Sequence, residues 1–204
     1  TLVGRTLRQV ESTQSMIRIV RLSATLPNFI EGADILGVNS NVGMFFFDQS
    51  FRPVPLEQQL IGVKGKAGSR QARENLEEIS YNKVSEMLRM NHQVMVFVHS
   101  RKDTVKTARN YMKLCGDNYE MDLFDCNNSE KHDFFQREMS KNKNKDIREL
   151  FVGGFGVHHA GMSRGDRNLT EKMFLAGAIK VLVCTATLAW GVNLPAAAVV
   201  IKGT

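Results

Sequence analysis

Short apolar runs constrain the fold of this chain more than any other feature. Gln93–His99 is apolar at almost every position, Ile179–Cys184 is mostly apolar, and the short segment Phe155–His158 is a further strand candidate. An apolar run without alternation is typical of a strand that is buried on both faces of a sheet. Segments with a helical period separate these runs. The pattern therefore predicts an α/β fold with a largely parallel sheet flanked by helices.

Further periodic segments complete the predicted architecture. Two more strands are expected at Met16–Val20 and Ala197–Lys202. The predicted helices are, in chain order, Arg73–Met90, Arg101–Leu114 and Ser163–Ala176. Ser100 and Ser163 stand where N-caps belong, since a serine oxygen can accept a hydrogen bond from the first turn of a helix. Gly177 is placed to end the last of these helices.

The stretch Cys115–Lys145 is the least regular part of the sequence. We interpret it as a surface insertion with one short helix around Phe134 and Met139. Near its end, lysine and asparagine alternate from Lys141 to Lys145. These lysines could contact phosphate, but a solvated loop is the simpler interpretation of a short charge run.

Composition narrows the class of protein. The 204 residues suffice for one domain, or for one domain with part of another, and the net charge of +6 weakly favours a nucleic-acid partner. The three cysteines form no C-x-x-C pair, so reduced thiols in a nuclear or cytoplasmic protein are expected rather than a disulfide framework or a zinc site. The apolar runs are too short to cross a bilayer, so no membrane partner is expected.

Polar clusters follow the predicted strands, at the edge where open α/β sheets gather their ligands. In the first cluster, Ser23 and Thr25 could bridge two domains through their hydroxyl groups, although, taken alone, a turn and an N-cap before a helix near Asn28 is the simpler explanation. In the second, Ser100 and Arg101 stand between a strand and a helix, which is a natural position to meet phosphate. A plain helix cap with an exposed arginine is the alternative.

The third cluster is the segment from His158 to Met162. Successive side chains of a strand point to opposite faces, so His158 and His159 cannot both line one surface. We expect one of them to be packed and hydrogen-bonded internally. No carboxylate or cysteine stands nearby at a ligand spacing, so a metal site is improbable here.

The fourth cluster follows the strand that ends at Cys184. Thr185 and Thr187 could hold phosphates through their hydroxyl groups, Gly191 permits a close approach of the backbone, and Asn193 offers both a donor and an acceptor. Trp190 could stack on a base or pack against the sheet.

The order and spacing of these clusters resemble motifs III, IV, IVa and V of superfamily 2 DExH-box helicases of the Ski-type and Brr-type branch. The resemblance covers essentially the whole chain, and its most specific part is the segment Thr185–Pro195. It implies a RecA-like fold of the P-loop NTPase type, incomplete at both ends. Residues 1–49 would be the carboxyl-terminal tail of a first RecA-like lobe. Residues 50–204 would form a second lobe, truncated before motif VI.

The resemblance also implies a role for each matching residue. Ser23 and Thr25 would couple the two lobes, and Gly191 and Asn193 would face ATP. The residues implied along the nucleic-acid track are Ser100, Arg101, His159, Gly161, Met162, Thr185 and Thr187. The sequence departs from the family at Arg21, where the family usually has a small residue, so the local packing there differs.

Several catalytic motifs do not occur in this sequence. It contains no G-x-x-x-x-G-K-[ST] loop, no acidic metal motif before Ser23 and no Q-x-x-G-R-x-G-R segment. We therefore expect ATP and Mg²⁺ to be bound by a parent protein, with the Mg²⁺ ligands outside this chain, and the chain alone to be inactive. The expected partners are single-stranded or partly duplex DNA or RNA, the first RecA-like lobe, and other subunits of a larger complex.

Two other functions remain possible at this point. A degenerate helicase cassette could act only as a scaffold that binds other proteins. An unrelated Rossmann-type enzyme is the second alternative, but no G-x-G-x-x-G segment follows any predicted strand.

Overall fold

The computed structural model describes residues 2–14, 17–23, 26–126, 131–191 and 194–203, and only the backbone of Trp190 and Gly191. Its contacts divide the chain into two compact units, Thr1–Leu60 and Ile61–Thr204. None of the described helices is long and apolar enough to cross a membrane.

Unit 1, within its described residues, is built from short helices and irregular segments. Its helices are α1 (Leu2–Thr13) and α2 (Phe29–Ile35), and a single 3₁₀ turn covers Gln49–Phe51. The strand predicted at Met16–Val20 is wrong for the described part of that range, since residues 17–23 are irregular. A strand needs a neighbour to satisfy its backbone groups, and the described part of unit 1 contains no other strand.

Unit 2 contains a four-stranded parallel sheet. The strands are β1 (Val94–Phe97), β2 (Phe155–His158), β3 (Val181–Cys184) and β4 (Ala198–Ile201). Their order across the sheet is β2-β3-β1-β4, and every neighbouring pair is parallel. This arrangement, with the flanking helices, confirms the predicted α/β, RecA-like architecture.

Helices connect the strands of unit 2 and cover the sheet. In chain order they are α3 (Arg70–Arg89), α4 (Arg101–Asp117), α5 (Met121–Phe124), α6 (His132–Lys141), α7 (Lys145–Val152), α8 (Arg164–Leu175) and α9 (Thr187–Gly191). Val94, Met95 and Val96 are all buried although their side chains point alternately to the two faces. Both faces of the central strand β1 are therefore covered, as its continuous apolar composition predicts.

Serine side chains cap the amino-terminal ends of the helices that follow β1 and β2. Ser100 Oγ accepts a hydrogen bond from Asp103 N at 3.2 Å, and Ser163 Oγ accepts one from Asp166 N at 3.1 Å. Gly177 follows α8 with a φ of +70°, a conformation that glycine adopts without strain. These contacts confirm the predicted starts of α4 and α8 and the predicted end of α8.

The interpretation of Cys115–Lys145 as a surface insertion with one short helix is wrong. Three helices, α5, α6 and α7, occupy or follow directly on this stretch. Phe124, Phe135 and Met139 are buried in the core. Phe124 stacks on Phe155 of β2, and Phe135 and Met139 are one helical turn apart in α6, which packs on α7. Burial rather than loop composition therefore decides the local structure.

Candidate nucleic-acid interface

The register of the sheet brings the predicted clusters of unit 2 to one edge. Phe97, His158 and Cys184 end their strands at the same level, because Phe97 pairs with Cys184 and Cys184 pairs with His158. Backbone hydrogen bonds continue this pairing for one more residue, from Val98 N to Cys184 O at 2.9 Å and from Thr185 N to His158 O at 3.1 Å. We call the residues that directly follow β1, β2 and β3 the carboxyl edge.

Arg101 and Gly161 are in direct contact at the carboxyl edge. Arg101 is the first residue of α4, and Gly161 lies in the loop after β2. A Cβ on Gly161 would stand 3.2 Å from both Cδ and Nη1 of Arg101. Since both residues are exposed, the guanidinium group lies over a bare backbone where a phosphate could also approach.

The Ser100 hydroxyl is already engaged within the protein. Besides capping α4, Ser100 Oγ donates a hydrogen bond to Asp103 Oδ2 at 2.6 Å. Ser163 makes the same pair of contacts with Asp166, donating to Oδ2 at 2.8 Å. The helix-cap alternative for Ser100 is thus what the geometry shows, while its predicted contact with nucleic acid would need its backbone or a rearranged hydroxyl.

The two adjacent histidines point in different directions, as expected from strand geometry. His158 is only 2% exposed, and its Nε2 lies 2.8 Å from Oε1 of Glu171 in α8. His159 is half-buried at the carboxyl edge, where its Nδ1 accepts a hydrogen bond from Gly161 N at 3.1 Å. Only His159 can therefore face a ligand at this edge.

His159 has a lowered pKa in this environment. Partial burial is the main cause, followed by the positive charge of Arg101 and then by His158. The neutral ring fits its contacts, because a nitrogen that accepts the Gly161 N–H bond cannot carry a proton. In the neutral form His159 can still donate one hydrogen bond from Nε2, while Arg101 supplies the positive charge.

Thr185 and Thr187 differ in exposure. Thr185 is buried beneath the edge, whereas Thr187 is exposed at the start of α9. Leu188 anchors α9 in the core. Of the two predicted ATP contacts, Gly191 ends α9, and Asn193 lies outside the described residues. The side chain of Trp190 is likewise not described, and its two alternatives remain open.

Comparisons with known proteins identify the family to which this sequence is related. Residues 134–203 match the family model described as "Helicase conserved C-terminal domain". Over all 204 residues the chain is 67% identical to the RQC trigger complex helicase SLH1 of Saccharomyces cerevisiae. It is 54% identical over 203 residues to the DExH-box ATP-dependent RNA helicase DExH14 of Arabidopsis thaliana. It is 52% identical over 204 residues to the human activating signal cointegrator 1 complex subunit 3.

The chain belongs to the DExH-box helicases of superfamily 2. Each of these alignments covers the whole of this chain but only 10%, 9% and 9% of the respective relative. The chain therefore corresponds to about a tenth of the length of these relatives, and the comparisons fix the family of this segment.

In this DExH-box helicase chain, the predicted lobe-coupling residues lie in unit 1. Ser23 is exposed in an irregular segment, and Thr25 lies outside the described residues. The departure at Arg21 has a local explanation, since its guanidinium packs over Gly32 of α2, where a Cβ would stand 3.0 Å from Nη1. A glycine opposite the arginine makes room for the large side chain.

Residues that the sequence analysis did not single out also shape the carboxyl edge of this helicase chain. Lys202, directly after β4, donates hydrogen bonds to Glu77 of α3 and, at 2.9 Å, to Thr107 of α4. Both ionic groups of the pair are largely buried, which fixes the end of β4 against two helices. Asp103 and Asp166 were missed too, although the repeated S-x-x-D spacing at both helix starts is a sequence signal for them.

Within the described part of the chain, no group of three or more histidine, cysteine, aspartate or glutamate side chains is placed to hold a metal ion. The three cysteines are buried and not paired in disulfides. Burial raises the pKa of the Cys184 thiol to about 12, so it is inert at neutral pH.

Proposed function

We propose that this chain is part of an ATP-dependent nucleic-acid helicase, which couples ATP hydrolysis to translocation and strand unwinding, and that it supplies motifs III, IV, IVa and V. Residues 1–49 would belong to the first RecA-like lobe and residues 50–204 to the second. The observation that carries the proposal is the convergence of the clusters after β1, β2 and β3 on one edge of a parallel sheet, where Arg101 meets Gly161.

The carboxyl edge is suited to hold a nucleic-acid backbone without reading its sequence. Arg101 offers an exposed guanidinium, which binds phosphate oxygens in a bidentate geometry. Thr187 and the Nε2 side of His159 offer neutral donors beside it. Contacts of this kind position a strand but carry no base information, which is what a translocating enzyme requires.

Nucleotide would be held mainly by other parts of the parent protein. The name of the Arabidopsis relative describes that protein as ATP-dependent, and hydrolysis of ATP with Mg²⁺ supplies the free energy for such enzymes. In this chain Gly191 and Asn193 are the residues proposed to face ATP. No P-loop motif occurs in the sequence, and the described residues hold no group of three or more potential metal ligands.

The names of the relatives guide the choice of substrate and partners. The Arabidopsis relative is named an RNA helicase, and the yeast and human relatives are named for complexes. We therefore propose RNA as the first substrate to test, with DNA as the alternative, and membership of a larger complex in the nucleus or cytoplasm.

The parent protein provides the test. Purified parent should hydrolyse ATP faster in the presence of single-stranded RNA or DNA and should separate a duplex that carries a 3′ single-stranded tail. An intact protein without stimulated hydrolysis or strand separation would reject the helicase proposal and favour the scaffold alternative.

A further inference from the structure

The lysine-rich loop between α6 and α7 has an ordered arrangement. We define the lysine loop as Lys141–Lys145. Its three lysines are exposed, whereas the two intervening asparagines are half-buried. The alternation in the sequence therefore corresponds to an alternation in space, with asparagines turned to the protein and lysines turned to solvent.

The asparagines hold the loop in one conformation. Asn142 Oδ1 accepts a hydrogen bond from Asn144 N at 2.7 Å, and Asn144 Oδ1 caps α7 by accepting from Asp146 N at 3.1 Å. These contacts restrict the backbone on both sides of Lys143. A lysine on a restricted backbone loses less conformational entropy when it binds a ligand than one on a mobile loop.

A hydrogen bond connects the lysine loop to the carboxyl edge. Asn142 Nδ2 donates to Asp166 Oδ1 at 2.8 Å, and the other carboxylate oxygen of Asp166 accepts from Ser163 at 2.8 Å. Ser163 directly follows Met162, at the end of the loop in which Gly161 meets Arg101. The lysine loop thus lies beside the last part of the proposed nucleic-acid track.

The direction of α7 agrees with this placement. Helix α7 packs on β2 and is joined to it by the short turn at Gly153 and Gly154. The helix therefore runs back along the strand, and its first residue, Lys145, lies at the level where β2 ends. Its eight residues span roughly 12 Å, about the length of a four-residue strand.

Neighbouring carboxylates do not neutralise the whole loop. Glu138 pairs with Lys141, and Asp146 and Glu149 both pair with Arg109. In the described part of the chain, Lys143 and Lys145 have no ion-pair partner.

We propose that the lysine loop is a second phosphate-binding surface, which continues the nucleic-acid track from Arg101 and Gly161 past the start of α8, with Lys143 and Lys145 as its contacting residues. The proposal rests on the helicase function proposed above and adds a surface outside the four motifs. Of the two interpretations of this lysine run, the proposal adopts contact with phosphate by ordered, exposed lysines rather than a solvated loop without a ligand.

The salt dependence of binding tests this surface. In the full-length parent protein, the double variant Lys143→Gln/Lys145→Gln should bind single-stranded RNA more weakly. Each lost phosphate contact lowers the slope of log affinity against log salt by about 0.7, so the slope should fall by about 1.4. A matched control is Lys113→Gln/Lys172→Gln, which removes the same charge near the carboxyl ends of α4 and α8, towards the opposite edge of the sheet. The control should leave the slope nearly unchanged.

A neutral substitution tests the arrangement of the loop. Asn142→Ala removes the contact with Asp166 and keeps every charge, so it should weaken RNA binding while the melting temperature stays close to that of the wild type. Equal salt-dependence slopes for Lys143→Gln/Lys145→Gln and the control Lys113→Gln/Lys172→Gln would overturn the proposal that the lysine loop binds phosphate.

Arg101→Gln separates this outcome from a failure of the helicase proposal. A lower slope for Arg101→Gln with an unchanged slope for the lysine pair would reject the lysine loop alone. A parent protein that does not bind nucleic acid at all would reject both proposals.

Discussion

Arg101 lies across Gly161, so the first residue of α4 and the loop after β2 form one surface. The contact is close enough that a Cβ on the glycine would stand 3.2 Å from the Cδ and Nη1 atoms of the arginine and equally close to Nδ1 of His159. Arg101, His159 and Gly161, three residues of the proposed nucleic-acid track, therefore contact one another and fix one another's positions. A larger residue at Gly161 should therefore shift the Arg101 side chain without removing any charge.

Gly161→Ala should displace the Arg101 side chain and weaken the binding of single-stranded RNA by the parent protein. Hydrogen bonds to charged groups contribute about 1.5–3 kcal/mol, so the loss of one phosphate contact should cost about tenfold or more in affinity. Gly116→Ala in α4 is the matched control, because no atom lies within 4 Å of the added methyl group there. Equal affinities of the two variants would contradict the proposed role of this contact.

The pKa of His159 reports on the same contact. Burial and the charge of Arg101 both lower it, so Arg101→Gln should move it upwards towards the ordinary value of about 6.5. An NMR titration of the His159 ring in both proteins would measure the shift, and identical pKa values would place Arg101 away from the ring in solution.

The lowered pKa also fixes how His159 affects stability. The unfolded chain takes up a proton at a higher pH than the folded chain does. The contribution of His159 to stability is therefore complete above the ordinary pKa and declines as the pH falls below it, until the folded-state pKa is passed. A His159→Gln variant should lose this part of the pH dependence of unfolding, whereas an unchanged dependence would assign the decline to other groups.

The sequence predicts the central sheet well because its strands are unambiguous. Phe155–His158 has the predicted bounds, and Ser100 and Ser163 cap their helices as expected. Parallel strands place their carboxyl ends together, so the gathering of Arg101, Gly161 and Thr185 on one edge follows from the strand order alone.

The parts of the fold and site that were not predicted depend on contacts between residues distant in sequence, which a local sequence pattern does not contain. The three helices between α4 and β2 form because Phe124, Phe135 and Met139 can be buried in the core, and the loop-like composition of the stretch does not reveal this burial. The segment Met16–Val20 has a strand-like composition but no neighbouring strand within the described part of unit 1. The hydrogen bond from Asn142 to Asp166 joins residues that are far apart in sequence, and the lysine run alone cannot predict it.

Gly154 is the most constrained glycine of the turn before β2. Its φ is +79°, and a Cβ there would overlap the carbonyl oxygen of Phe124. Gly154→Ala should therefore destabilise unit 2 by about 3 kcal/mol or more, since steric overlap adds to backbone strain. Gly177→Ala has a similar φ of +70° but no atom within 4 Å, so it should cost only about 1–2 kcal/mol. Denaturant unfolding would measure both, and equal costs would show that the overlap is relieved by a small shift.

The most direct test of the account is the RNA-stimulated ATPase rate of the parent protein carrying Thr185→Val and Thr187→Val. These substitutions remove the exposed hydroxyl group of Thr187 from the carboxyl edge and the buried hydroxyl group of Thr185 from beneath it. They keep the charge and shape of the side chains nearly unchanged. We predict that, at a fixed sub-saturating concentration of single-stranded RNA, the stimulation falls about tenfold or more, equivalent to roughly 1.4 kcal/mol of lost stabilisation, while the melting temperature does not change. A folded variant with undiminished stimulation and undiminished RNA affinity would contradict the claim that this edge holds the strand.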